Sequence, residues 1–166
     1  MITNADSISD VLSIFHDGTI RQAHLDGDKL KLQVNIAYLA KRVNPEYKSF
    51  HIELDGFCDA EFSTWPRTLG AEKEVITEFS RIFASSLDIL SASVKEGGFE
   101  VICNIPSIDC DYCGGELFFR AKSATILDEA NKEYSVEELR KISKDYWDAW
   151  KAHWDAVKKS PAPEKS

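Results

Sequence analysis

The chain has 166 residues, 43% hydrophobic and 29% charged, a globular mixture that supports one core but not two independent ones and excludes a disordered or fibrous chain. Lys and Arg total 20 against 28 Asp and Glu, a formal net charge of −8. That balance disfavours nonspecific binding to nucleic acid or anionic lipid, both of which reward a concentrated positive field.

The first ten residues carry two acids and no base, and no apolar run approaches the roughly 18 residues of a membrane span. The expectation is a soluble, cytoplasmic protein with no membrane and no nucleic-acid partner. Asp6 and Ser7 are candidate caps for a first helix, in which Ile8, Val11, Leu12 and Phe15 share one face. His16-Asp17-Gly18 ends it. In the next stretch Leu30, Leu32, Val34 and Ile36 alternate with polar residues, the period of a half-buried strand, and Asp26-Gly27-Asp28 before it predicts a hairpin with residues 19–25.

After Asn44-Pro45 a third strand is predicted, Phe50, Ile52 and Leu54 on one face and His51, Glu53 and Asp55 on the other, with room to continue past Gly56 towards Phe62. Residues 72–84 space Val75, Ile76, Phe79, Ile82 and Phe83 as a helix does, although their β-branched and aromatic content also permits a strand. Residues 87–94 and 99–105 form a second predicted hairpin around Lys95-Glu96-Gly97-Gly98, closed by Pro106. Gly114-Gly115 opens a further apolar run at residues 116–121, with an extension to Leu127. Residues 128–134 read as a polar connection.

Ser135-Val136-Glu137-Glu138 has the form of a capping box. Behind it an amphipathic helix of about six turns is predicted, at 3.6 residues per turn. Val136, Leu139, Ile142, Tyr146, Trp147, Ala149, Trp150, His153, Trp154 and Val157 fall within an arc of about 160°, and Lys141, Lys144, Asp148, Lys151, Asp155 and Lys159 lie on the opposite side. The predicted architecture is α+β, a mainly antiparallel sheet of about six strands with the long C-terminal helix packed on one face. It forms a single domain over residues 1–159, followed by a disordered tail at 160–166.

Three constellations invite a functional reading. Cys103, Cys110 and Cys113, with Cys58, could supply four thiolates to a zinc ion, Cys110-x-x-Cys113 forming one knuckle and the two glycines letting amides approach the sulfurs. Only one such knuckle is present, so plain thiols and no cofactor are the preferred reading. His51, Glu53 and Asp55 project together, and with Asp59 and Glu61 they form an acidic window free of Lys and Arg. The bland reading is a solvated strand face. The functional one is a surface for a basic protein partner, or else an acid–base site using His51 with Glu53 or Asp55. Tyr146, Trp147, Trp150 and Trp154 form an aromatic stripe, read first as core and otherwise as a homodimer seam or partner groove. His16-Asp17 is the adjacent pair found in metal phosphohydrolases, but in this strand-rich setting it reads as a turn. No catalytic set emerges: nucleophile elbow, phosphate loop and His-Glu-x-x-His are all missing from the sequence.

Phe15-His16-Asp17-Gly18, the Asp26-Gly27-Asp28 turn before the 30–36 strand, and Tyr146-Trp147-x-x-Trp150 together resemble a loose group of small bacterial proteins, mostly uncharacterised, some like immunity proteins of bacterial toxin systems. The likeness spans residues 15–40 and 135–150, with a weaker echo at 87–105. It implies a small α+β fold and a non-enzymatic binding role, an immunity-type inhibitor included. The Cys110–Gly115 segment is foreign to that group. The sequence therefore points to a protein-binding domain, with a zinc-stabilised domain and a small enzyme as alternatives.

Overall fold

A computed structural model describes residues 1–159; the disordered tail expected at 160–166 lies outside the described residues. The elements in chain order are α1 (Ala5–Ile14), β1 (Thr19–Asp26), β2 (Lys29–Asn35), α2 (Ala37–Val43), β3 (Ser49–Asp55), β4 (Cys58–Pro66), β5 (Val75–Ile76), α3 (Phe79–Ile82), β6 (Leu87–Lys95), β7 (Gly98–Asn104), β8 (Tyr112–Arg120), β9 (Ser123–Leu127), β10 (Glu133–Tyr134) and α4 (Val136–Lys159). The fold is α+β, and every strand pairing in it is antiparallel.

The sheet has ten strands, in the order β10-β9-β3-β2-β1-β6-β7-β8-β4-β5, rather than about six. The excess has two sources. β5 and β10 are two-residue edge strands. The other two arise because long strands bend: β3 runs into β4 across Gly56 and Phe57, and β8 into β9 across Ala121 and Lys122. The ladder persists through the bend, since Lys122 N–H donates to the Asp55 carbonyl at 2.8 Å. Because β9 pairs with β3 while β8 pairs with β4, six strand paths follow one another round a closed circuit. Its narrowest seam is β1–β6, joined only at Thr19↔Asp88 and Ile20↔Leu87. Irregularities at Ile20/Gln22 in β1 and at Ile89/Ser91 in β6 then turn the two strands apart.

Period-two alternation fills the inside of this circuit. Leu30, Leu32 and Val34 from β2, Phe50, Ile52 and Leu54 from β3, and Phe99, Val101 and Cys103 from β7 are all buried. α1 adds Ile8, Val11 and Leu12, and the start of α4 adds Val136 and Leu139, to one continuous cluster. The helix cap of α1 is Asn4, whose side chain accepts from Ser7 N–H at 3.1 Å, rather than Asp6 or Ser7. The capping box of α4 forms in full: Glu138 N–H donates to Ser135 Oγ at 3.2 Å and Ser135 N–H to Glu138 Oε2 at 2.8 Å.

Three expectations need correction. The predicted helix over 72–84 is a β5 strand followed by the single turn of α3, because Ile76 is drawn into the sheet opposite Phe62. The seven-residue α2 replaces a region with no predicted helix. Finally, α4 packs chiefly on α1 and α2 rather than directly on a sheet face.

Gly114 and Gly115 have a packing role in place of the expected approach to sulfur. A side chain at Gly115 would put its Cβ 2.2 Å from the Ser63 carbonyl oxygen and 2.8 Å from the Phe62 ring, and one at Gly114 would meet the Cys103 carbonyl at 2.4 Å. Gly115→Ala should therefore lower stability by about 1–3 kcal/mol through overpacking. Urea unfolding measures this directly, and an unchanged midpoint would show that the β4–β8 contact is looser than described.

Candidate functional site

The acidic window divides at the Gly56 bend. On β3, Glu53 stands opposite Lys31 and Asp55 opposite Lys29 in the β2–β3 register. Lys29 Nζ lies 3.1 Å from Asp55 and 3.8 Å from Glu53, and Lys31 Nζ 3.1 Å from Glu53. These two carboxylates belong to a cross-strand ladder of alternating sign, stabilising in the way opposite charges facing each other across a sheet are. The Asp55 carboxylate in turn holds the Lys29 ammonium above its ordinary range. His51, further along β3, lies near Glu129 in the β9–β10 loop.

Beyond the bend, Asp59 takes a left-handed conformation at φ 54° and pairs with Arg120 at 2.5 Å. Asp59 and Glu61 line a different feature, an open trough of about 860 Å³ on the outer face of β4, β7 and β8. Glu96, Glu100 and Glu116 complete its acidic lining against Lys95 and Arg120, and Phe118 forms part of its floor with the Arg120 guanidinium 5.6 Å from the ring centroid. Its members come from five separate strands, Val75 of β5 included, and the Glu96 turn. In sequence Asp59 and Glu61 of the acidic window point to it, and the outward place of Phe118, next to inward Phe119, adds a hint; the acids of β7, β8 and the turn are too far apart in the chain to be read together.

The four cysteines are dispersed among separate neighbours. Cys103 is buried in β7 with its thiol pushed up to about 12 by desolvation, and its Sγ lies 3.7 Å from the Val101 carbonyl. Cys110 Sγ lies 3.1 Å from Ser85 Oγ, Cys113 Sγ 3.6 Å from the Trp65 carbonyl, and Cys58 is exposed beside Asp59. The loop carrying the Cys110–Cys113 pair is clasped by Arg67, whose guanidinium donates to the Cys110 and Ser107 carbonyls at 2.9 and 2.6 Å. Among the described residues no three His, Cys, Asp or Glu side chains are grouped to hold a metal ion.

His16 and Asp17 form the expected turn, and this turn seats α4. The His16 carbonyl accepts from Tyr38 Oη at 2.8 Å, and its ring stacks on Trp147 with centroids 5.5 Å apart. Tyr38 in turn packs against Tyr146 at 4.5 Å and Trp147 at 5.9 Å. Burial pushes the Tyr38 phenol well above its usual pKa, so it remains a donor. The aromatic stripe is thus divided. Tyr146 and Trp147 are half-buried against the body, whereas Trp150 is 48% exposed, Trp154 45% and Val157 48%. Every side chain from Asp148 to Lys158 is exposed, so the last three turns of α4 stand clear on all sides. At 3.6 residues per turn, Trp147, Trp150, Trp154 and Val157 lie within about 80° of one another. The indole rings contact in series, Trp147–Trp150 at 5.9 Å and Trp150–Trp154 at 5.8 Å. No helix among the described residues is long and apolar enough to cross a membrane.

No family model, no curated protein and no solved structure matches this chain.

Sequence reading passed over Glu129, whose carboxylate gathers three donors: Lys48 N–H, at 2.6 Å, and the N–H and hydroxyl of Ser49, at 2.8 and 3.0 Å. These bonds, Lys48 N–H foremost, favour the charged form and hold the carboxyl below its ordinary range. A depressed folded-state pKa contributes stability above the unfolded value, lost as pH falls through the folded one. Stability should accordingly decline below about pH 4.5, and Glu129→Gln should flatten part of that decline. Urea midpoints for the two proteins between pH 3 and 6, roughly the range spanned by carboxylate titration, would refute this if their curves stayed parallel.

Proposed function

We propose that the protein is a non-enzymatic protein-binding domain whose docking surface is the α4 ridge of Trp147, Trp150, Trp154 and Val157. One observation carries this reading: beyond Trp147, which rests on His16 and Tyr38, the ridge lies on a helix segment that no other part of the described chain covers. Aromatic side chains spend most of their burial energy where they are desolvated, and exposed ones gathered on one face are the usual centre of a protein interface. An immunity-type inhibitor, the role implied by the sequence resemblance, is one form that such a domain takes. The two segments carrying that resemblance meet here, at His16, Tyr38, Tyr146 and Trp147.

A second reading is favoured by the trough. Its carboxylates outnumber its cations, and Phe118 offers an apolar platform, a combination suited to a basic segment of a partner. Glu53 and Asp55 contribute little to it, being matched by Lys29 and Lys31.

Capture from native lysate with three forms of the tagged chain separates the two readings. The Trp150→Ala/Trp154→Ala variant should lose the partner, while Glu61→Lys/Glu96→Lys should keep it. Both should unfold within about 0.5 kcal/mol of the parent, since the altered side chains are exposed. The opposite pattern transfers the docking surface to the trough.

A further inference from the structure

We infer that the occupant of the α4 ridge is an acidic amphipathic helix of another protein. The inference rests on the docking role given above and adds the chemistry of the partner. Trp147, Trp150, Trp154 and Val157 follow one another at intervals of three, four and three residues, the narrow seam by which one helix lies along another. In that seam Trp147 and Trp154 take the a positions, Trp150 and Val157 the d positions. Lys144, Lys151 and Lys158 recur every seven residues at the e position and form one border of the ridge, within about 60° of Trp147. Lys151, which the sequence placed on the polar side, thus stands at the edge of the apolar face.

The other border, at the g positions, is Tyr146 and His153 and carries no acid. Lys144 has an ion pair with Asp148 in its own helix, whereas Lys151 and Lys158 have none among the described residues. On a chain of net charge −8 the border is a local cationic row. A partner helix with Glu or Asp flanking its apolar seam would meet it.

Charge also excludes the other occupants. Two copies of this chain laid antiparallel would set e against e, lysine against lysine. Laid parallel they would set the lysines against Tyr146 and His153, which gives no ion pair. A flat anionic surface would meet Asp145, Asp148 and Asp155 on the polar side of the same helix as well as the lysines, so neither bilayer nor nucleic acid gains from the row as a helix lying along it does. The ridge also leads into a groove of about 380 Å³ between α1 and α4, where Ile14, His16 and Trp147 face one another. A helix following α4 has somewhere to continue.

Two synthetic helices of equal length with the same leucine seam, one flanked by glutamate and one by lysine, provide the probe, titrated into the full chain with tryptophan emission as readout. The acidic peptide should bind about tenfold more tightly at low salt, with a blue shift, and the gap should narrow as salt screens the pairs. Lys151→Glu/Lys158→Glu should reverse the preference. Equal binding of both peptides overturns the acidic assignment while leaving the docking role intact. Silence of both peptides overturns the docking role too. A dimer of the chain alone that Trp150→Ala/Trp154→Ala dissolves, or a blue shift with phosphatidylserine vesicles in place of the acidic peptide, would assign the ridge to another occupant.

Discussion

The hydrogen bond from Tyr38 to the His16 carbonyl, with the rings packed around it, is the joint on which the helical part of the molecule depends. It ties three segments distant in sequence: the turn after α1, the first turn of α2 and the middle of α4. Each aromatic pair contributes about 0.5–1.5 kcal/mol beyond its buried area, and the Tyr38 phenol, kept protonated by burial, holds the geometry at any ordinary pH. Arg42, 5.7 Å from the Tyr146 centroid, caps the cluster. Trp147 is the last residue of α4 that this cluster shelters, so the joint also sets where the helix leaves the body. Fixing the helix there fixes which side chains it presents.

The strand circuit imposes a second constraint. Closing it requires the β3–β4 and β8–β9 paths to bend sharply while remaining paired; the first bend uses Gly56 at φ 68°, packed against Lys122 beside the second, while Gly114 and Gly115, within β8, allow the close approach of β7 and β4 that only glycine permits. The same bend separates acids that sequence alone places together. Before it, Glu53 and Asp55 face lysines on β2. After it, Asp59 pairs with Arg120 of β8, and Glu61 shares the trough with the carboxylates of Glu100 and Glu116. Local charge density in a sequence window is therefore a poor guide to surface potential once a strand turns a corner. What decides the field is the residue across the ladder.

The legible parts of the fold were those governed by local chemistry. The capping box, the β1–β2 and β6–β7 hairpins and the burial of Ile8, Val11, Leu12 and Phe15 all follow from residue spacing, and all are present. The Glu96-Gly97 turn, with φ of 50° and 76°, is the two-residue kind that its glycine favours. The less legible parts depend on contacts far apart in the chain. Ile76 could belong to a helix or a strand by its own neighbours, and only Phe62, fourteen positions earlier, decides. Gly115 suggested sulfur chemistry because the nearby cysteines are visible in sequence, whereas the Ser63 carbonyl that excludes a side chain there is not. Of the candidate site, the tryptophan stripe was visible as a pattern. Its division into a sheltered and an exposed half was not, because that depends on Tyr38 and His16.

The exposed half of α4 raises an energetic question that its own fold answers only in part. Eleven residues without tertiary support are shorter than an isolated helix needs in water, because nucleation is costly. Here the nucleus is supplied by the capped and packed first half, so propagation proceeds from an existing turn, aided by the Lys144–Asp148 pair at i,i+4. Nothing in that process requires tryptophan. Tryptophan has a lower helix propensity than alanine, lysine or glutamate, all of which would extend the helix at less cost. Nor does the core need Trp150 or Trp154, since neither belongs to the buried cluster. Under the docking role proposed above, side chains that neither the helix nor the core requires, placed on one face and bordered by a single sign of charge, contribute where a partner covers them. The Tyr38 joint holds that face out from the body at a fixed angle, which under that role would leave the surface preorganised for a partner.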